Sequence, residues 1–194
     1  MLIWSERLAD APVMSLQTGG RLATAYEPII DPKDLRIVAF YCEGPQLDYS
    51  PAVLHADDIR EFGELGLIVN DSEDIMPLGD LVRLQEIIDH KFELIGKRVV
   101  DTAGHKLGKI NNYVLETESF QVVKFSVKRP LLHSLQDSEL VIAREQIRKI
   151  TDDEIIVAAP TVEEKKRAKS EPRHSPIQNP FRNPQPENVH HSKN

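Results

Sequence analysis

A chain of 194 residues with 40% hydrophobic content can form one medium domain or two small ones, each with a modest core. It has no run of eighteen apolar residues, and its start, MLIWSERLADAPV, is broken by Ser5, Glu6 and Arg7, so a cytoplasmic protein without membrane insertion is expected. The single cysteine, Cys42, excludes an internal disulfide and a sulfur-rich metal site, while the net charge of −7 disfavours whole-molecule binding to nucleic acid.

That net charge hides a polarity. Residues 1 to 90 hold 6 Lys/Arg against 17 Asp/Glu, residues 91 to 160 hold 11 against 10, and residues 161 to 194 hold 7 against 4. The first half is acidic and the rest mildly basic.

The chain also repeats itself. LATAYEPIIDPKDLRIVAFYC at 22–42 lies over LGKINNYVLETESFQVVKFSV at 107–127 with an offset of 85, and 47–69 lies over 135–157 with an offset of 88. Upstream, Leu8 and Val13 fall on Leu94 and Val99 with an offset of 86, so the copies differ by small insertions at loops. The spacing predicts a first β-rich copy over residues 1–72, and alternation along RIVAFYC turns Val38, Phe40 and Cys42 inward. The outward set is then Ile37, Ala39 and Tyr41, an apolar strip that needs covering, either by the linker and the other copy or by a protein partner.

Residues 73–91 form a linker in which Leu78, Leu81, Leu84 and Ile88 recur at helical spacing, predicting a short amphipathic helix that packs the copies together. The second copy, 92–160, reads as short strands: KRVVD, a turn at TAGHK, LGKINNYVLE, FQVVKFSVK, LVIAREQIRKI and EIIV. Here alternation places Val123, Phe125 and Val127 inside and Val122, Lys124 and Ser126 outside. After Pro160 the composition turns polar and proline-rich, predicting a disordered tail over 161–194.

Leu94, Gly96, Val99, Asp101, Gly104, Leu107, Gly108, Lys109 and Ile110, followed by an apolar strand and a closing IAREQIRKI and EIIV, resemble a PRC-barrel domain. The resemblance covers 92–158 well and 6–70 more weakly, where Asp10 and Ala23 stand in place of Gly96 and Gly108. It implies an all-β fold with a short linker helix: two tandem small PRC-type β-barrels plus the tail, similar to tandem PRC-barrel proteins of bacteria. It also implies a binding platform rather than an enzyme.

The residues offer little catalytic chemistry to set against that. GHKLGK at 104–109 has the wrong spacing for a phosphate loop and reads as a hairpin turn. His55, Asp57 and Asp58 cluster, but the second copy has Ala143, Glu145 and Gln146 there, which fits a surface turn. No catalytic residue, cofactor or metal site is expected.

Three surfaces remain as candidates. Lys124, Lys128, Arg129, Arg144, Arg148 and Lys149, with His133 nearby, form a basic face suited to an acidic partner or RNA, although no aromatics are interleaved for base stacking. Ile37, Ala39 and Tyr41 form the apolar strip. In the tail, Ile177, Pro180, Phe181 and Arg182 read either as a docking peptide with a proline-set backbone or as an incidental aromatic in a flexible end. The expected function is a non-enzymatic cytoplasmic adaptor that binds protein partners. The alternative is an accessory factor in ribosome assembly or RNA maturation, contacting ribosomal protein or RNA through the second copy.

Overall fold

The computed structural model describes residues 1–129 and 139–158. The tail over 161–194, with Ile177, Pro180, Phe181 and Arg182, and the loop that holds His133 lie outside the described residues.

The first half contains β1 (Leu2–Trp4), β2 (Ala11–Ser15), β3 (Arg21–Asp31), β4 (Arg36–Glu43), β5 (Ala52–His55), β6 (Glu61–Gly63) and β7 (Gly66–Val69). A short strand β8 (Ile75–Pro77) and one helix, α1 (Val82–Asp89), lead into β9 (Arg98–Asp101), β10 (Lys106–Glu116), β11 (Gln121–Lys128), β12 (Glu139–Ala143), β13 (Ile147–Ile150) and β14 (Glu154–Val157). The molecule is mostly β with one short helix.

The pairing scheme occurs twice. In the first half β2, β3, β4 and β5 pair in antiparallel succession, β6 pairs antiparallel with β7, and β7 returns parallel to β2. In the second half β9, β10, β11 and β12 pair likewise, β13 pairs with β14, and β14 lies parallel to β9. Each half is thus a six-stranded curl in which a single 3-10 turn, Ala56–Asp58 or Arg144–Gln146, carries the chain from the last antiparallel strand into the closing hairpin.

Even the irregularities repeat. Register shifts set Leu22, Tyr26 and Val38 apart from a one-to-one ladder in the first half, and Leu107, Asn111 and Val123, each 85 residues on, in the second. A bulge adds one residue to one strand, so every side chain beyond it changes face. This corrects the alternation expected from the sequence. Val38 and Ala39 both face outward while Ile37 returns to the core with Phe40 and Cys42, and in the second half Val122 is core while Val123 is half-buried outside it.

The expected apolar strip is therefore not a free surface. Ile37 lies in the main core and Ala39 beneath α1, both fully buried, and Tyr41 is half-buried and stacked on Tyr26 with ring centroids 6.0 Å apart. The helix that covers it sets Leu84, Ile87 and Ile88 against Ile29, Ala39 and Val53, so α1 packs on the outer face of the first half rather than between the halves. It ends because Lys91 adopts a left-handed conformation, φ 47°, and donates its N–H to the Ile88 carbonyl at 2.8 Å, closing the last turn.

The halves are not separate barrels strung on a linker. Residues from Ile3 to Val157 form one apolar core, and the strands join into one sheet through an Arg36–Gln121 bridge between β4 and β11. The junction is reciprocal. Ile37 N–H donates to the Phe120 carbonyl at 2.9 Å and Val122 N–H to the Leu35 carbonyl at 3.0 Å, and these four residues exchange under the offset of 85. Arg36 Nε donates to the Ser119 carbonyl at 2.9 Å, and Gln121 Nε2 donates to the Asp34 carbonyl. Such mutual contacts define a local pseudo-two-fold axis.

Leu35 and Phe120 sit at φ 57° and 55°, a conformation that non-glycine residues rarely take, and both are buried. The conformation aims both carbonyls across the junction. Phe120 then packs edge-on to Phe40 at 5.8 Å. β1 adds a further tie that its apolar triplet did not announce: Leu2, Ile3 and Trp4 pair antiparallel with Glu116, Leu115 and Val114 of the other half.

Candidate functional site

Where the tip of the β3–β4 hairpin meets the second half, a cleft of about 460 Å³ opens. One wall is Pro32, Lys33, Asp34 and Leu35, and the other runs from Arg144 to Ile150. The turn is shaped by its own side chains: Asp31 Oδ1 accepts the Lys33 N–H at 2.9 Å and Asp34 Oδ1 the Arg36 N–H at 3.0 Å, so Lys33 is held at the tip. Arg144 Nε donates to the Asp34 carbonyl at 3.0 Å and ties the walls together.

The lining is ionic. Lys33, Arg144, Arg148 and Lys149 face Asp34 and Glu145, four cations against two carboxylates. A second hollow of about 250 Å³ continues from Pro32, Lys33 and Ile150 past His90, Lys91, Phe92 and Lys97. There Lys97 Nζ sits 4.4 Å from the centre of the Phe92 ring and donates to the Asp152 carbonyl at 2.9 Å.

The pseudo-two-fold places a matching cleft, of about 580 Å³, on the other side of the junction. Thr117 and Glu118 there stand for Pro32 and Lys33, and Ile59, Arg60, Glu61 and Phe62 for Ile147, Arg148, Lys149 and Ile150. The charge is reversed: Arg60 faces Glu61, Glu64 and Glu118. Met1, Gly63 and Glu64 also line this second cleft, whereas the equivalents of Asp34, Leu35, Arg144 and Glu145 do not, so two clefts at equivalent places differ in lining and carry opposite signs.

Of the basic face read from the sequence, the structure gathers Arg144, Arg148 and Lys149 at this cleft. Lys124 is half-buried on β11 opposite Ala143, and Lys128 pairs with Lys109 and Glu139 at the end of β11 remote from the β4 bridge; Arg129 follows it. They line neither hollow. Lys33, Lys91 and Lys97 complete the basic surface, and sequence reasoning missed them. Lys33 belongs to the other repeat, 116 positions before Lys149, and only the comparison with Glu118 at the equivalent turn marks it.

The reactive groups elsewhere are committed to structure. Cys42 is buried, and burial pushes its thiol up to about 12, where almost none is thiolate at neutral pH. Asp57 pairs with Arg36, whose hydrogen bond holds the carboxyl below its ordinary range, and His55 Nδ1 lies 3.5 Å from the same carboxylate. Asp101 accepts the N–H groups of Ala103 and His105 at 2.9 and 2.8 Å and meets His105 Nδ1 at 2.9 Å, and these contacts lower its pKa. Its counterpart Ser15 accepts the Thr18 N–H at 3.1 Å, so both residues cap the turn after an equivalent strand. GHKLGK spans that turn and enters β10, as its spacing predicts. Among the described residues, no group of three or more His, Cys, Asp or Glu is placed to hold a metal ion, and no helix is long and apolar enough to cross a membrane.

No curated protein matches the chain significantly. Residues 90–164, which supply β9 to β14 and the more basic wall of the cleft, match the model of the PRC-barrel domain.

Proposed function

We propose that the protein is a non-enzymatic binding module of two PRC-type barrels, acting as an adaptor that receives a protein partner in the basic cleft at their junction. One observation carries this reading: the cleft is built by both halves at once, with Lys33 from one and Arg144, Arg148 and Lys149 from the other. The match of 90–164 to the PRC-barrel domain supports the second barrel, and the recurrence of strand pairing and bulges in residues 11–69 supports the first. A fold class alone assigns no function, so the site must bear the argument.

The junction is suited to binding because Asp31 and Asp34 fix the hairpin tip, Arg144 ties it to the opposite wall, and backbone hydrogen bonds join the two halves beside it. Little ordering is needed when a partner arrives, and the affinity is correspondingly conserved. Photo-crosslinking in native lysate tests this. A crosslinkable residue at position 33 or 149 is expected to trap the same protein, while one at Arg7, an exposed position away from the cleft, does not. Failure of both cleft positions to trap any protein defeats the reading.

A further inference from the structure

Resting on that reading, we infer that the occupant of the basic cleft is an acidic, extended peptide segment, and that the opposite charge of the pseudo-equivalent cleft confines it to one side of the molecule. Charge complementarity carries the first part. Lys33, Arg148 and Lys149 are exposed around the cleft mouth and extend it toward Lys91, so the row of positive charge is elongated rather than a single pocket. A chain of spaced carboxylates fits such a row.

A nucleic acid fits less well. Asp34 and Glu145 interrupt the cations, and a phosphate backbone charged at every unit must pass them, whereas a peptide can set neutral residues beside them. Phe92, the aromatic at the extended end, is half-buried against the core and has Lys97 over its ring, which leaves it a poor platform for base stacking.

The second part follows from the repeat. Lys33 becomes Glu118 and Lys149 becomes Glu61 across the pseudo-two-fold, while Arg148 is kept as Arg60. The two clefts sit at equivalent places in the repeat, and because Ala56 stands where the other half has Arg144, a further cation is missing from the second. These two reversals, with the loss of the Arg144 charge, turn attraction for an acidic segment into repulsion.

The test uses full-length protein and a fluorescein-labelled peptide of alternating Glu and Gly, read by fluorescence anisotropy. One molecule of peptide is expected to bind, with affinity falling as salt rises. Lys33→Glu with Lys149→Glu should weaken binding by roughly tenfold or more, whereas Glu61→Gln with Glu118→Gln should leave one bound peptide. Glu61→Lys with Glu118→Lys should raise the stoichiometry from one to two. All four positions are exposed, so an unchanged thermal transition verifies that each variant is folded. If the peptide does not bind, or binds equally well to the Lys33→Glu, Lys149→Glu variant, the inference is overturned. It is also overturned if oligo-uridine RNA displaces the peptide and depends on the same two lysines more strongly. Crosslinking of a protein at positions 33 and 149 stands independently of the peptide, so its persistence after a failed peptide titration would retain the module and reject only its acidic occupant.

Discussion

The two halves of this molecule are alike where the chain must fold and unlike where it meets solvent. β3 and β10 span corresponding residues, as do β4 and β11, and three bulges fall at the same positions in each copy. Yet the outer face of the first half is sealed by α1, the turn after β2 is capped by Ser15 rather than Asp101, and the two clefts carry opposite charge. Core volume and ladder register constrain a residue through many neighbours, whereas an exposed side chain at a turn has few. A repeated scaffold can therefore keep its architecture while its faces come to differ in charge and cover.

The most severe way to break this comparison is to hollow equivalent core sites. Phe40 and Phe125 occupy matching positions and are both fully buried, so Phe40→Ala and Phe125→Ala should each cost about 3–5 kcal/mol. Because both rings belong to one apolar core, each variant should unfold in urea as a single earlier transition. Two separated transitions would show instead that the halves fold independently.

Phe120→Leu tests the junction by installing the residue that its counterpart, Leu35, already carries. The edge-on contact with Phe40 is lost while an apolar side chain remains, so a destabilisation of about 1–2 kcal/mol is expected in the same urea measurement. No change would mean that the aromatic pair adds nothing beyond what leucine supplies on the other side.

Acid separates the halves in a different way. The native contacts of Asp101 lower its pKa below the ordinary 3.8, so the stability it contributes is present above that value and is lost as pH falls through the lower, folded-state pKa. The equivalent Ser15 does not titrate. Asp101→Ser should therefore reduce the acid-induced loss of stability below about pH 4, seen as a flatter dependence of the urea midpoint on pH. An identical slope in wild type and variant would place the acid sensitivity elsewhere.

The smallest effect is expected at Asp10, which holds φ 53° where Gly96 holds φ 83°. Asp10→Gly removes a left-handed strain but gives the unfolded chain more freedom, and these opposing effects should leave a gain of no more than about 1 kcal/mol. A loss of stability would show that the aspartate side chain contributes to the turn.

Much of this was legible in the residues. The offsets of 85 and 88, the strand runs, the helical spacing at 78–90 and the turn after Asp101 are local patterns, and local patterns survive in a one-dimensional reading. Phe125 and Val127 were assigned to the core for the same reason, and they are buried there. Ile37, Val122 and Val123 were placed on the wrong face because a period of two carries no mark of an inserted residue, and the register shifts appear only when the partner strands are paired.

Sequence by itself determined that two similar β-rich units exist, which of their residues are apolar, and that the first is acidic and the second mildly basic. Tertiary structure decided that the units share one core, that α1 closes the first outer face, and that Lys33 meets Arg148 and Lys149. The reason is the reciprocal crossing of two hairpin tips. Hydrogen bonds from Ile37 to Phe120 and from Val122 to Leu35 join residues more than eighty positions apart, and no periodicity along a chain encodes where two such distant turns will lie against each other.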